Sequence, residues 1–193
     1  MTTGELDRTP ARGSAEHGAV IVRANVIGTV LFVVTAVFAA AVFTTAAQWV
    51  GAATAMGLFT VGVFAFLWGF WNAIQRSREE EVSVTQLFLL LGPGTPSRVR
   101  RVMLTMLVIQ VATAFATAIW RIDGPDGNPG SSLAVGLLVP MFGLGMNGLW
   151  AAYHADFGPR LDVDGRPMYV EPNNSRQDGG TPTTFIDKNE DHG

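Results

Sequence analysis

Three long stretches of this chain contain no Asp, Glu, Lys, Arg or His, and they limit the folds open to it. They are residues 24–75, 102–120 and 127–153. A helix rises 1.5 Å per residue, so about 20 mostly apolar residues cross a hydrocarbon core of ~30 Å. Helices of a soluble domain need a polar outer face, whereas these stretches are apolar all round. The stretches therefore predict membrane-spanning helices.

The first stretch is long enough for two crossings, and its hydropathy dips at Gln48 and Trp49, where we predict a turn. The fold class is therefore predicted to be all-α: an integral membrane four-helix bundle made of two transmembrane hairpins. A cleaved signal peptide is a second interpretation of the first span, but the apolar region of such peptides usually has only ~7–15 residues. The predicted spans are about 26–47, 50–73, 102–120 and 131–153.

Polar segments lie on both sides of this predicted membrane domain, which covers residues 25–158. Residues 1–24 and 159–193 are rich in Gly, Pro, Asn and Asp, a composition that predicts disordered termini. Almost every Arg and the one Lys lie in these termini or between the second and third spans, and the two other connections hold only Arg121. The positive-inside rule then predicts a multi-pass protein of the bacterial plasma membrane with both termini in the cytoplasm.

The connection between the second and third spans has a helical pattern of its own. Residues 77–80, Ser-Arg-Glu-Glu, match a capping box, and apolar residues follow at positions 84, 87, 88 and 91. The Gly-Pro-Gly of residues 92–94 ends the pattern. A helix over about 78–91 is too short to span, so we expect it to lie in the membrane interface with its apolar face towards lipid.

The hexapeptide GLGMNG at residues 143–148 matches the G-x-G-x-x-G pattern of dinucleotide-binding turns. Such a turn needs a preceding strand and free backbone N–H groups, whereas this hexapeptide lies inside an apolar span, where unpaired peptide groups are costly. We therefore predict a helix and no nucleotide. One face of that helix carries small residues, a proline that would kink it and, near its end, a polar residue. This face predicts either the contact between helices of the bundle or a contact with a partner. Its residues are Gly136, Pro140, Gly143 and Asn147.

Few polar side chains lie at membrane depth, and none of them is ionisable. Gln110 and Asn147 are predicted to pair across helices, or alternatively to line, together with Asn72, a polar path for a small neutral solute. The chain has no Cys, and the H-x-D of His154 and Asp156 has the wrong spacing to present two ligands on one face of a helix. We therefore predict no metal, no cofactor, no nucleic acid and no catalytic activity. A lipid-modifying enzyme using His154 and Asp156 is the third and weakest hypothesis.

Arginines cluster at the predicted inner ends of the second and third spans. They predict contact with the head groups of anionic lipids, although the same residues would also serve to fix the topology. The cluster consists of Arg76, Arg78, Arg98, Arg100 and Arg101.

The two halves of the chain share a short similarity. LWGFWNA at residues 67–73 aligns with LWAAYHA at 149–155, each at the inner end of the second helix of a hairpin. Duplication of a two-span unit would explain it. A common demand for aromatic residues at the membrane interface would explain it equally.

With twelve Arg against one Lys, and with the blocks WNAIQRSREEEVSVTQLFLL and SSLAVGLLVPMFGLGMNGLWAAYH, the chain resembles small four-span membrane proteins of high-GC actinobacteria. The resemblance covers about residues 25–160. It implies location and topology only, because that group has no assigned activity. Because no ionisable side chain lies at membrane depth, we expect a non-catalytic accessory or assembly component that packs against itself or a larger membrane complex through the Gly/Pro/Asn face of the fourth helix, and the alternative is a permeation pathway.

Overall fold

The computed structural model describes residues 10–78, 80–92, 94–123 and 131–158, with side chains described from residue 17 onwards. Within these ranges the chain is helical and contains no strand. The predictions for residues 1–9, for the connection over 124–130 and for the tail 159–193 lie outside the described residues. The α-helices are α1 (Pro10–Val42), α2 (Thr45–Arg76), α3 (Val84–Leu89), α4 (Ser97–Trp120) and α5 (Pro140–His154), and a 3₁₀ helix (Ser132–Leu138) precedes α5.

Four segments are long and apolar enough to cross a membrane, as predicted. They are His17–Val42, Thr45–Arg76, Ser97–Trp120 and Ser132–His154, the last of which joins the 3₁₀ helix to α5. The segments alternate in direction along the chain. We call the end of the molecule where α2 and α5 finish the Arg76 end, and the opposite end the Arg121 end.

The turn between the first two spans was predicted at Gln48 and Trp49, and that prediction was wrong. The turn is at Phe43, whose φ is 49°, and Thr44, whose hydroxyl accepts a hydrogen bond from the backbone N–H of Ala47. Gln48 instead lies inside α2, where its side-chain oxygen accepts a hydrogen bond of 2.8 Å from the Ser132 hydroxyl. A distant residue thus bonds to Oε1 of this amide, whereas its Nε2 is buried without a partner among the described residues, and the helix continues through the dip in hydropathy.

The N-terminal segment was predicted to be disordered over residues 1–24, but α1 begins at Pro10. Proline is favoured at the first position of a helix because its missing N–H would have no partner there. Adding a residue to an existing helix costs little compared with nucleating one, so the apolar span extends into the polar residues that precede it.

The helix predicted over 78–91 is much shorter, and only part of its predicted apolar face is exposed, at Val84 and Leu91. It covers only Val84–Leu89, because Ser83 and Gln86 form the capping box and Leu90 adopts a left-handed conformation with φ of 55°. Leu87 and Phe88 are buried. The Phe88 ring stacks on Phe66 of α2 with centroids 4.3 Å apart, so α3 packs against the spanning helices.

The fourth span breaks at Pro140, where the 3₁₀ helix changes to α5. A proline inside an α-helix would leave the Gly136 carbonyl without its usual N–H donor, but that carbonyl accepts a hydrogen bond of 3.0 Å from the Val139 N–H. The tighter 3₁₀ turn thus supplies the partner that an α-helix would have lost to the proline. Pro140 becomes the first residue of α5, where its missing donor costs nothing.

Helices of the two hairpins pack in parallel pairs. α2 and α5 make the most extensive contact, and their backbones touch at two levels: an added Cβ on Gly62 would lie 2.8 Å from the Met141 carbonyl carbon, and one on Gly69 would lie 2.8 Å from the Gly148 carbonyl carbon. α1 packs along α4 in the same direction. Glycines are needed here because no side chain fits between backbones this close.

Candidate functional site

The Gly/Pro/Asn face of the fourth span is turned into the molecule. A Cβ on Gly143 would lie 2.6 Å from Gln110 Oε1, and one on Gly136 would lie 3.3 Å from the ring of Phe32. Asn147 is fully buried and Pro140 is half-buried. These contacts are all with helices of the same chain, so a partner could reach the face only if the helices separated. The face is therefore unsuited to the partner contact that was one of its two predicted roles.

Gln110 is the centre of a buried polar cluster that joins α1 to α4. Its Nε2 donates hydrogen bonds to Thr29 Oγ1 at 2.7 Å and to Asn25 Oδ1 at 3.3 Å. The Thr29 hydroxyl in turn donates to the backbone carbonyl of Asn25 at 2.7 Å. All three side chains are at most 1% exposed. Such a cluster ties two helices together in a medium that offers no competing water.

The predicted pairing of Gln110 with Asn147 is absent from the described hydrogen bonds. Asn147 Nδ2 instead donates to the backbone carbonyl of Phe88 at 2.9 Å. The Phe88 ring lies against the backbone of α5, because a Cβ on Gly148 would be 2.6 Å from its Cε1 atom. Asn147 and Gly148 together therefore hold α3 against α5.

Asn72 belongs to neither cluster. Its side chain donates to the carbonyl of Trp68, four residues earlier in the same helix, at 2.8 Å. The three amides that were predicted to line a polar path thus bond to three separate partners, which lie on α1, on α3 and on α2 itself. The structure does not bring them together in one passage.

Arg76 is the one arginine of the predicted lipid-binding cluster whose bonds explain its position. It pairs with Glu80 at 2.7 Å and donates to the carbonyl oxygens of Ala152 and Ala155 at 3.0 and 3.2 Å. Its guanidinium also lies 4.9 Å from the centre of the Phe157 ring. Positive charge at the C-terminal end of a helix is favourable, so Arg76 caps α5 from the end of α2. These bonds leave it less free to contact lipid than the prediction assumed.

The remaining arginines of the cluster differ from Arg76. Arg78, Arg98 and Arg101 are exposed and Arg100 is half-buried. In the part of the chain that the structure describes, none of the four guanidinium groups makes a hydrogen bond or an ion pair. They remain available for the predicted contact with anionic head groups.

Arg121 occupies an equivalent place at the opposite end, which sequence reasoning did not anticipate. Its Nε donates to the carbonyl of Ala40, near the end of α1, at 3.0 Å, and its guanidinium lies 4.2 Å from the centre of the Phe43 ring. Each parallel helix pair is therefore tied at its C-terminal end by an arginine from one helix that binds carbonyls of the other. The sequence feature that could have indicated this contact is a single Arg directly after a long apolar helix.

His154 and Asp156 are separated by one residue in sequence but belong to different elements of the structure. His154 ends α5, half-buried, with its ring 5.6 Å from that of Trp150. Asp156 is exposed in the extended segment that follows, and its backbone N–H donates to Gly94 at 3.3 Å. Among the described residues no group of three His, Asp or Glu side chains could hold a metal ion.

Comparison of the chain with protein-family models, with curated proteins and with solved structures found no match.

Proposed function

We propose that the protein is a non-catalytic component of the bacterial plasma membrane, a four-helix bundle of the kind found in high-GC actinobacteria, that serves an accessory or assembly role. In this proposal the Arg76 end faces the cytoplasm and the Arg121 end faces outwards. Arginine distribution supports the orientation, because Arg23, Arg78, Arg98, Arg100 and Arg101 belong to the Arg76 end.

The proposal rests on the hydrogen-bond partners of the buried polar side chains. Asn25, Thr29, Gln110 and Asn147 are at most 1% exposed, and each bonds to another helix or to its own. Transporters and pumps normally place ionisable side chains towards the interior of the bundle or a water-filled cavity. Among the described residues, the buried polar side chains are all uncharged. This arrangement favours a packing role over transport or catalysis.

An accessory role needs a surface for a partner, and α2 offers one on the side opposite its contact with α5. Ala53, Gly57 and Thr60 are exposed there, and a Cβ added to Gly57 would meet nothing within 4 Å. Small residues at this spacing allow another helix to approach closely. Glycine costs roughly 1 kcal/mol relative to alanine inside a helix, and no contact within the chain offsets that cost at Gly57.

The proposal is tested by extracting the native membrane in lipid nanodiscs and determining the mass of the intact particle. We expect the protein in the particle, without the lipid and scaffold of the nanodisc, to have a larger mass than the monomer of 20.6 kDa. Gly57→Leu should reduce the particle to the monomer, because the larger side chain blocks close approach without disturbing the fold. Ala112→Leu, at an exposed position of α4, is the matched control and should leave the particle unchanged.

A monomer in the wild type would contradict the accessory role. The alternative of a permeation pathway would then be tested by solute flux into proteoliposomes. Because Asn72, Gln110 and Asn147 bond to separate partners, the structure offers no specific support for that alternative.

A further inference from the structure

A cavity of about 750 Å³ lies at the Arg76 end, between the first turns of α4 and the part of α1 that faces them. Ala19 and Val22 of α1 and Val99 and Val102 of α4 form its apolar walls, and Trp150 of α5 lines it as well. The volume is within the range of sites that hold small organic ligands, roughly 300–1,000 Å³. The cavity is therefore large enough for part of a lipid molecule.

Two arginines from facing helices line the same cavity. Arg23 belongs to α1 and Arg98 to α4, and both are exposed. Neither guanidinium group makes a hydrogen bond or an ion pair with a residue that the structure describes. Both side chains carry a positive charge, and guanidinium is well suited to bind the oxygens of a phosphate.

The depth of the cavity matches that of lipid head groups. Along α1, the axis rises about 28 Å from Arg23 to Val42, the last residue of the helix. Along α4 it rises about 33 Å from Arg98 to Trp120. Both values are close to the hydrocarbon thickness of ~30 Å, so the two arginines lie one membrane thickness from the Arg121 end, beside the polar surface.

We propose that this cavity binds one anionic phospholipid. The phosphate lies between Arg23 and Arg98, and the start of an acyl chain lies along Val22, Val99 and Val102. The apolar walls distinguish this site from a site for free phosphate, which would need polar groups on all sides. The inference goes beyond the accessory role and does not depend on it.

The test is native mass spectrometry of the full-length protein in detergent, titrated with phosphatidylglycerol and, separately, with zwitterionic phosphatidylcholine. We expect one phosphatidylglycerol to be retained per chain. The double variant Arg23→Gln/Arg98→Gln should bind it about 25-fold more weakly, which corresponds to roughly fivefold for each arginine. The control Arg78→Gln/Arg101→Gln removes the same charge from exposed arginines that do not line the cavity, and should change affinity by less than about twofold.

A second variant separates the cavity from its charge. Ala19→Trp keeps both arginines but fills the space between the helices, and it should also lose the bound lipid. The proposal would be overturned if both double variants lost the same affinity for phosphatidylglycerol, or if the wild type bound the two lipids equally. Competition by sn-glycerol 3-phosphate at the same concentration as the lipid would assign the site to a soluble phosphate compound, and would also overturn it.

Discussion

At the scale of single residues, the burial of Gln110 most needs an explanation. A fully buried amide in an apolar span costs free energy unless its hydrogen bonds are made. Its Nε2 bonds to both Thr29 and Asn25, whereas Gln110 Oε1 lies against Gly143 without a partner among the described residues. A side chain at position 143 would displace that oxygen. Gly143 therefore leaves room for the amide of Gln110, which joins α1 to α4.

We predict that Gln110→Leu lowers the free energy of unfolding by about 1 kcal/mol, within the range of ~0.6–1.7 kcal/mol for hydrogen bonds between membrane helices. The substitution keeps most of the side-chain volume but removes both bonds to α1. Reversible unfolding by sodium dodecyl sulfate in mixed micelles measures the change.

Thr105→Val is the control for this prediction, because Thr105 lies on the same helix but is exposed. Its free energy of unfolding should match that of the wild type within error. If Gln110→Leu were as stable as the wild type, the cluster would contribute nothing net to the packing of α1 on α4.

At the scale of helices, the contact between α2 and α5 depends on glycines that meet backbone rather than side chains. An added Cβ on Gly62 would lie 2.5 Å from the Phe142 amide nitrogen, and backbone in a helix cannot move aside as a flexible side chain can. Gly57, on the same helix, meets open space. The two positions form a matched pair that separates packing from helix propensity.

We predict that Gly62→Ala lowers the free energy of unfolding by roughly 1–3 kcal/mol, because it forces the two helices apart. Gly57→Ala should be neutral or raise it by up to about 1 kcal/mol, since alanine is the better helix former. The same unfolding titration compares them. Equal effects of the two substitutions would mean that the close contact of α2 with α5 does not contribute to stability.

The helices themselves could be predicted from sequence, because hydropathy over about 20 residues is a local property. The turn at Phe43 and the burial of α3 could not. Gln48 Oε1 accepts a hydrogen bond from Ser132 and the Phe88 ring packs against Gly148, and both partners lie far away along the chain. The arginine caps were missed for the same reason, since Arg76 binds carbonyls of α5 rather than of its own helix.

At the scale of the whole molecule, the two hairpins pair helix by helix: α1 runs parallel to α4, and α2 runs parallel to α5. The short similarity between the ends of α2 and α5 fits this arrangement only in part. The aligned tryptophans have opposite surroundings, because Trp68 is 60% exposed and Trp150 is 4% exposed. Shared topology is therefore better supported than shared packing at these residues.

We propose that the chain crosses the membrane four times with the Arg76 end in the cytoplasm. Because the chain contains no Cys, a single introduced cysteine is a unique label site. Ser97→Cys marks the start of α4 and Asp123→Cys marks the residues after it, and both positions are exposed. The measurement is labelling of each variant in intact cells by a maleimide that cannot cross the membrane.

We predict that the cysteine at position 123 is labelled in intact cells, whereas the cysteine at position 97 is labelled only after the membrane is permeabilised. The reverse pattern would contradict the orientation. Labelling of both positions in intact cells would contradict the membrane-spanning assignment of α4, and with it the account of the molecule as a four-span membrane protein.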